Sequence, residues 1–239
     1  DSKKHYVYLT GHGHFYQPPR ENPWLDDIEE QPSAHPFHNW NERIDYECYT
    51  PNSVARVKDN SGRVIDIVNN YAFMSFNFGP TLMKWLKDNS EETHNRIIQA
   101  DKESKKRFSG NGSAIAQVYN HIIMPLANKK DKYTQAYWGI KDFELRFGRK
   151  PEGIWLAETA VCYETLDVLA DLGIKFTILS PYQAEKIKPL EDEHWRDVSA
   201  GNVDPARAYR CFLDKDKQKY IDIFYYDGTI SKAIAFEGV

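Results

Sequence analysis

The sequence predicts an α/β protein built on parallel strands, and three observations carry that expectation. A short apolar run from Gly153 to Ala157 is followed by a helical stretch from about Cys162 to Leu172, which Gly173 stops, and then by a β-rich run from Ile174 to Leu179. A strand, helix, strand order of this kind requires a parallel crossover, the building block of α/β barrels and doubly wound sheets. An earlier run, Tyr71 to Phe76, leads through Asn77-Phe78-Gly79 into a helix that starts at Pro80 and carries Leu82, Trp85 and Leu86 at helical spacing. Three expected strands also deliver polar groups at their C-terminal ends: His12 and His14, then Asn77, then Glu158. In parallel α/β folds that is the edge where ligands bind.

In chain order, Tyr6-Val7-Tyr8-Leu9-Thr10 is β-branched and aromatic, ends at Gly11, and reads as a strand followed by a loop. Residues 20–70 are polar and interrupted by Pro23, Pro32, Pro36 and Pro51, so an elaborate loop insertion is expected there. A loop that long is either functional or carries small elements of its own. Lys105-Lys106-Arg107 reads as a solvated helix end. Tyr133, Ala136, Tyr137, Ile140, Phe143 and Phe147 recur at three-and-four spacing over a helix that Gly148 terminates. Pro189 to Ala208 is loop-like, and Tyr220 to Tyr226 is the last strand before Asp227-Gly228. Residues 1–239 are expected to belong to a single domain. The stop at Val239, soon after a strand and without a closing helix, reads as a cut within that domain, and the missing initiator Met as an upstream segment removed.

Composition bounds the function classes. With 239 residues, 41% hydrophobic and 28% charged, the chain can bury a sizeable core, which excludes disorder as its main state. A net charge of -4 and the absence of a dense Lys/Arg run exclude a nucleic-acid groove. Cys48, Cys162 and Cys211 lie far apart without a C-x-x-C spacing, which argues against a disulfide framework or thiolate zinc site and fits a reducing, cytoplasmic compartment. No apolar run reaches the ~18 residues that span a bilayer, so no membrane partner is expected. The 14% aromatic content suits a sugar-binding cleft, because flat rings cover the apolar faces of pyranoses, but it suits an ordinary core better. The oligomeric state is not legible.

The candidate chemistry sits at the strand ends. If the first strand continues, His12 and His14 project to one face, a pairing that suits metal binding, hydrogen bonds to sugar hydroxyls, or the capping of a loop. Phe15-Tyr16-Gln17-Pro18-Pro19 would follow as a stiff, polar-lipped wall. Glu158 leaves an apolar strand; it fits a retaining glycosidase nucleophile, which needs a second carboxyl group ~5 to 5.5 Å away, and equally a helix cap or an ion-pair partner. His121 ends the apolar run Ser113 to Asn120 and reads first as a loop or core residue, unless it meets the other histidines in space.

The motifs together resemble glycoside hydrolase family 57. His12-Gly13-His14-Phe15-Tyr16-Gln17-Pro18-Pro19 is similar to the family's first signature, which lines the sugar subsite. Gly112 to Leu126, with Tyr119-Asn120-His121, resembles the second, which carries a substrate-contacting histidine. Gly153 to Ala160 resembles the third, Trp-Leu-x-Glu-x-Ala, whose glutamate is the nucleophile. The order and spacing of these signatures, with Asn77-Phe78-Gly79-Pro80 and Phe143 to Gly148 in context, cover nearly the whole chain.

The resemblance implies a (β/α)7-type barrel, incomplete at its C-terminus, and an enzyme that hydrolyses or transfers α-glucans by double displacement. Glu158 is then the nucleophile, and His12, His14, Gln17, Asn77, His121, Trp155 and Asp227 are substrate contacts. No cofactor and no metal are implied, and the partner is an α-glucan or oligosaccharide. Two departures stand out. Ser113-Ala114-Ile115-Ala116 lacks the glutamate common early in the second signature, which places the chain in a divergent branch. Tyr226-Asp227-Gly228-Thr229-Ile230-Ser231 resembles the segment before the fourth signature, so the general acid is expected beyond Val239 rather than at Asp227, and the chain alone is expected to be inactive. Two rivals remain at this point: a metal-dependent hydrolase or deacetylase using His12, His14 and His121, and an inactive carbohydrate-binding protein.

Overall fold

In the computed structural model, which describes residues 8–237, the first strand is β1 (His12–Phe15). This corrects the expectation of a strand at Tyr6–Thr10. Residues 6 and 7 lie outside the described residues, and Tyr8, Leu9 and Thr10 form no strand. Strand-forming residue types act through side-chain burial, and Tyr8 and Leu9 are 87% and 97% exposed.

The chain falls into two compact units, Asp1–Ala114 and Ile115–Val239. In the first, residues 20–70 are far from a bare loop. Asn39 caps helix α1 (Trp40–Ile44) by accepting the Glu42 N–H, and the helical path runs on through Asp45–Tyr49 into α2 (Thr50–Ser53). An antiparallel hairpin follows, β2 (Ala55–Lys58) and β3 (Val64–Val68), whose turn is tied by Asp59 Oδ1 accepting from the Ser61 and Arg63 N–H groups.

The expected strand at Tyr71–Phe76 begins later, as β4 (Ser75–Phe78), because the Asn69 side chain accepts the Tyr71 N–H and starts a single tight turn at Asn70–Ala72. Strand β4 pairs in parallel with β1, His12 opposite Ser75 and His14 opposite Asn77. Pro80 is the first residue of α3 (Pro80–Asn89), as expected, and Leu82, Met83 and Leu86 are buried along it. Helix α4 (Glu91–Arg107) ends on the exposed Lys105-Lys106-Arg107 cluster, the solvated helix end read from the sequence. The core of this unit is aromatic. Phe15 stacks on Phe78 at 4.7 Å between ring centroids and meets Tyr49 and Tyr71 edge-on, and Phe76 closes the cluster. These rings follow the ordinary-core reading of the aromatic content.

The second unit is a five-stranded sheet assembled from β5 (Ala116–Gln117), β6 (Gly153–Trp155), β7 (Phe176–Leu179), and, after the small hairpin of β8 (Lys186–Ile187) and β9 (Arg196–Asp197), β10 (Ala208–Phe212) and β11 (Tyr220–Tyr225). Its spatial order is β10-β11-β7-β6-β5, parallel throughout except for the antiparallel edge strand β10. Helix α5 (Lys129–Phe147) connects β5 to β6 and ends at Gly148, whose φ of 66° supplies the left-handed cap. Helix α6 (Tyr163–Asp171) connects β6 to β7 as expected, with Gly173 at φ 83° closing it. The aromatic spacing on α5 marked the helix but not its buried side. Ala136, Ile140 and Phe143 face the core, whereas Tyr133 and Tyr137 stack on each other in solvent, 48% and 38% exposed. Helix α7 (Gly228–Lys232) follows β11.

Candidate active site

In the first unit, alternation along β1 sends His12 and His14 to the same face, and the parallel partner β4 brings Asn77 between them. Asn77 is fully buried. Its Oδ1 accepts from His12 Nε2 at 3.1 Å and its Nδ2 donates to His14 Nδ1 at 2.9 Å, while His12 Nδ1 accepts from Ser75 Oγ at 2.8 Å. This network fixes neutral His12 as the Nε2–H tautomer. Burial lowers the His12 pKa from 6.5 to about 4, only partly offset by the hydrogen bond to Asn77. The His14 ring lies parallel to that of Tyr16, centroids 6.4 Å apart.

Gln17 sits in the loop after β1 and is held on both sides of its amide. Oε1 accepts from Arg20 Nη2 at 2.7 Å, Nε2 donates to the Tyr49 hydroxyl at 3.3 Å, and its backbone carbonyl accepts from Thr81 Oγ1 at 2.8 Å. Arg20 in turn donates to Asn41 Oδ1 at 3.3 Å, and burial pushes the Tyr49 hydroxyl up to about 12. Neither Arg20 nor Tyr49 stood out in the sequence, because both lie in or beside the segment read as a loop.

In the second unit, β6 ends at Trp155, opposite Gln117 of β5. Glu158 is three residues further on, in the short turn Ala157–Thr159, and its backbone is left-handed with φ 55°. Thr159 follows at φ 53°. For a residue with a side chain this costs about 1–2 kcal/mol and persists only where the surroundings impose it. Leu156, Ala157 and Thr159 are buried around it, and Glu158 itself is exposed. His121 lies beyond the end of β5, also left-handed at φ 54°. Burial lowers its pKa, and the nearby Glu158 carboxylate partly counters that. The edge at which parallel strands bind ligands therefore carries His121 and Glu158 side by side.

Asp227, past the end of β11, is the N-cap of α7, its Oδ1 accepting the Ile230 N–H at 2.9 Å. Among the described residues no cluster of His, Cys, Asp and Glu has the arrangement of a metal site, and no helix is long and apolar enough to cross a membrane.

Parallel βα units with polar groups at the strand ends define an α/β protein whose ligand edge is that of barrels and doubly wound sheets alike. The family model for glycosyl hydrolase family 57 matches residues 7–239, and the chain belongs to that family. No curated protein matches the sequence. Among solved structures, the chain is similar to the 4-alpha-glucanotransferase of Thermococcus litoralis, with 17% identity, a TM-score of 0.55, and coverage of 95% of this chain and 29% of the other. It is similar to the exo-type maltose-forming amylase of Pyrococcus sp. ST04, with 14% identity, a TM-score of 0.63, and coverage of 95% and 36%. It is also similar to a GH57-type branching enzyme from Pyrococcus horikoshii, with 17% identity, a TM-score of 0.53, and coverage of 98% and 49%. The likeness supports the fold class that the family resemblance implies, a (β/α)7-type barrel that is incomplete: among the described residues the strands do not close into a barrel. The chain spans less than half the length of each of these structures.

Proposed function

We propose that the protein cleaves or transfers α-glucans by a retaining double displacement in which Glu158 is the nucleophile. In the first step a Glu158 carboxylate oxygen attacks the anomeric carbon, the glycosidic bond breaks, and a carboxylic acid protonates the leaving oxygen. In the second step water or a sugar hydroxyl attacks the same carbon, gives its proton back to that acid, and releases Glu158. The observation that carries this reading is the placement of Glu158 in a family 57 chain: an exposed carboxylate on an imposed left-handed turn at the C-terminal edge of a parallel sheet, beside His121.

The family resemblance assigns His12, His14 and Gln17 of the first unit, and His121, Trp155 and Asp227 of the second, to the substrate; Asn77, also expected there, is fully buried with both ends of its amide engaged, and acts by holding the two histidines. His12 is half-buried and its pKa is lowered, so it meets the substrate as a neutral ring. Both of its ring nitrogens are already engaged, by Ser75 and Asn77, which argues against a metal ligand and leaves the ring itself, packed against a sugar, as its contact. Asp227 is not assigned as the acid. Its strand is separated from that of Glu158 by β7, so the two roots stand roughly 10 Å apart at ~4.8 Å per strand, against the ~5 Å that retention needs between carboxyl groups. The Oδ1 of Asp227 is also committed to capping α7, and we assign the acid to another carboxyl group.

Glu158→Gln tests the assignment in the whole protein, with maltoheptaose as substrate. Turnover is expected to fall by at least about 10³-fold, the scale on which loss of a catalytic nucleophile is felt, while binding changes little. Normal turnover by this variant removes Glu158 from the mechanism.

A further inference from the structure

We propose that Gln135, on the buried side of α5, is a positioning residue for His121: it clamps the backbone that leads into this histidine and so fixes where the imidazole projects at the sheet edge bearing Glu158. The inference rests on the glucan-active reading of that edge.

The clamp has two points. The Gln135 backbone carbonyl accepts the Tyr119 N–H at 3.1 Å, and its side-chain Oε1 accepts the Asn120 N–H at 2.8 Å. One helical residue thus holds the two amides immediately before His121. The same helix closes in one turn later: a Cβ on Gly139 would stand 1.9 Å from the Gln117 carbonyl oxygen, so helix and strand backbones touch there.

His121 itself needs such support. Its φ of 54° is unfavourable for a residue with a side chain, and its N–H contact with the Val118 carbonyl is long, at 3.4 Å. Left to local preference the segment would relax into an ordinary right-handed or extended path, and the ring would swing away from the sheet edge. Gln135 is 9% exposed, an uncommon place for an amide unless its hydrogen bonds are needed.

The test compares Gln135→Met, which keeps the volume and removes the side-chain acceptor, with Gln135→Glu, which keeps an acceptor at the same reach. In the whole protein, Gln135→Met is expected to lower kcat/KM on maltoheptaose by about 10- to 100-fold, the cost of a misplaced contact, and Gln135→Glu to restore most of it. In a His121→Ala background, Gln135→Met should cost nothing further, because the two residues act as one unit. Additive losses in the double variant, or wild-type kinetics for Gln135→Met, overturn the inference. Amide exchange separates its failure from that of the functional reading: Gln135→Met should speed exchange at Asn120 whatever the protein acts on, and an unchanged rate overturns the clamp even if Glu158 proves to be the nucleophile.

Discussion

Asn77 sets the tautomer of His12: the amide oxygen of a fully buried side chain accepts from Nε2 at 3.1 Å, which obliges Nδ1 to act as the acceptor toward Ser75. The other end of the same amide reaches His14 at 2.9 Å. One residue on β4 therefore orders both imidazoles of β1, and the parallel register puts it there.

Replacing Asn77 by Leu removes both bonds while filling the space. Loss of buried polar partners costs about 1–3 kcal/mol, and a drop of that size in urea-unfolding stability is expected. Glucan affinity should fall with it, since both rings lose their fixed orientation. Asn77→Asp keeps the acceptor toward His12 but loses the donor toward His14, so it should weaken binding less than Leu does. Equal binding by all three proteins would show that the imidazole orientation is immaterial to the ligand.

The protonation of His12 predicts how stability follows pH. Its folded pKa is about 4 and its ordinary value 6.5, so between these limits the unfolded chain takes up a proton that the folded chain refuses. The contribution is complete above about pH 6.5 and is lost as pH falls toward 4. At about 1.4 kcal/mol per unit this amounts to as much as about 3 kcal/mol. The lowered pKa of His121 acts in the same direction. Urea unfolding at pH 7.5 and 4.5 should show the loss, and His12→Gln should flatten the slope. An unchanged slope in that variant would place the linkage elsewhere.

How much of this was legible in the sequence depended on where local chemistry decides structure. Pro80, Gly148 and Gly173 mark helix boundaries through backbone geometry alone, and the structure places them at those boundaries. The strands β6, β7 and β11 were legible from their short apolar runs, although the alternating burial along β7 and β11 shows that one face of each is the buried one. Helix α4 gave no such signal, since its buried positions are Thr93, Ile97, Ala100, Asp101 and Ser104, correctly spaced but mostly polar or small. Strand β1 was displaced because His-Gly-His-Phe has little strand character of its own and is held by its ladder with β4. The left-handed residues His121 and Glu158 are themselves neither Gly nor Asn, so their own identity did not announce the conformation.

That unannounced strain at Glu158 yields an opposed pair of effects. Glu158→Gly relieves a left-handed conformation worth about 1–2 kcal/mol and gives back about 0.5–1 kcal/mol in chain entropy. The variant should be as stable as the parent or up to about 1 kcal/mol more stable, while turnover on maltoheptaose disappears. Glu158→Val, with a branched side chain at the same φ, should be less stable than the parent. If Glu158→Gly is instead markedly destabilised, the turn is not held against its preference and the carboxylate contributes to the fold.

Gly139 reverses a common expectation for helices. Alanine in place of glycine within a helix ordinarily stabilises by about 1 kcal/mol. At position 139 the new methyl group would meet the backbone oxygen of Gln117 at 1.9 Å, and neither the helix nor strand β5 can rotate away as a flexible side chain would. Gly139→Ala should therefore destabilise by about 1–3 kcal/mol, the usual cost of overpacking. Because the displaced strand leads into the segment that Gln135 holds, faster amide exchange at Tyr119 and Asn120 should accompany the loss. Gly148→Ala provides the contrast. Nothing lies within 4 Å of its would-be Cβ, and only its φ of 66° resists substitution, so a cost of about 1 kcal/mol is expected with no change at Asn120. A stabilised Gly139→Ala protein would mean that α5 and β5 do not touch at this point, and the clamp on His121 would lose one of its supports.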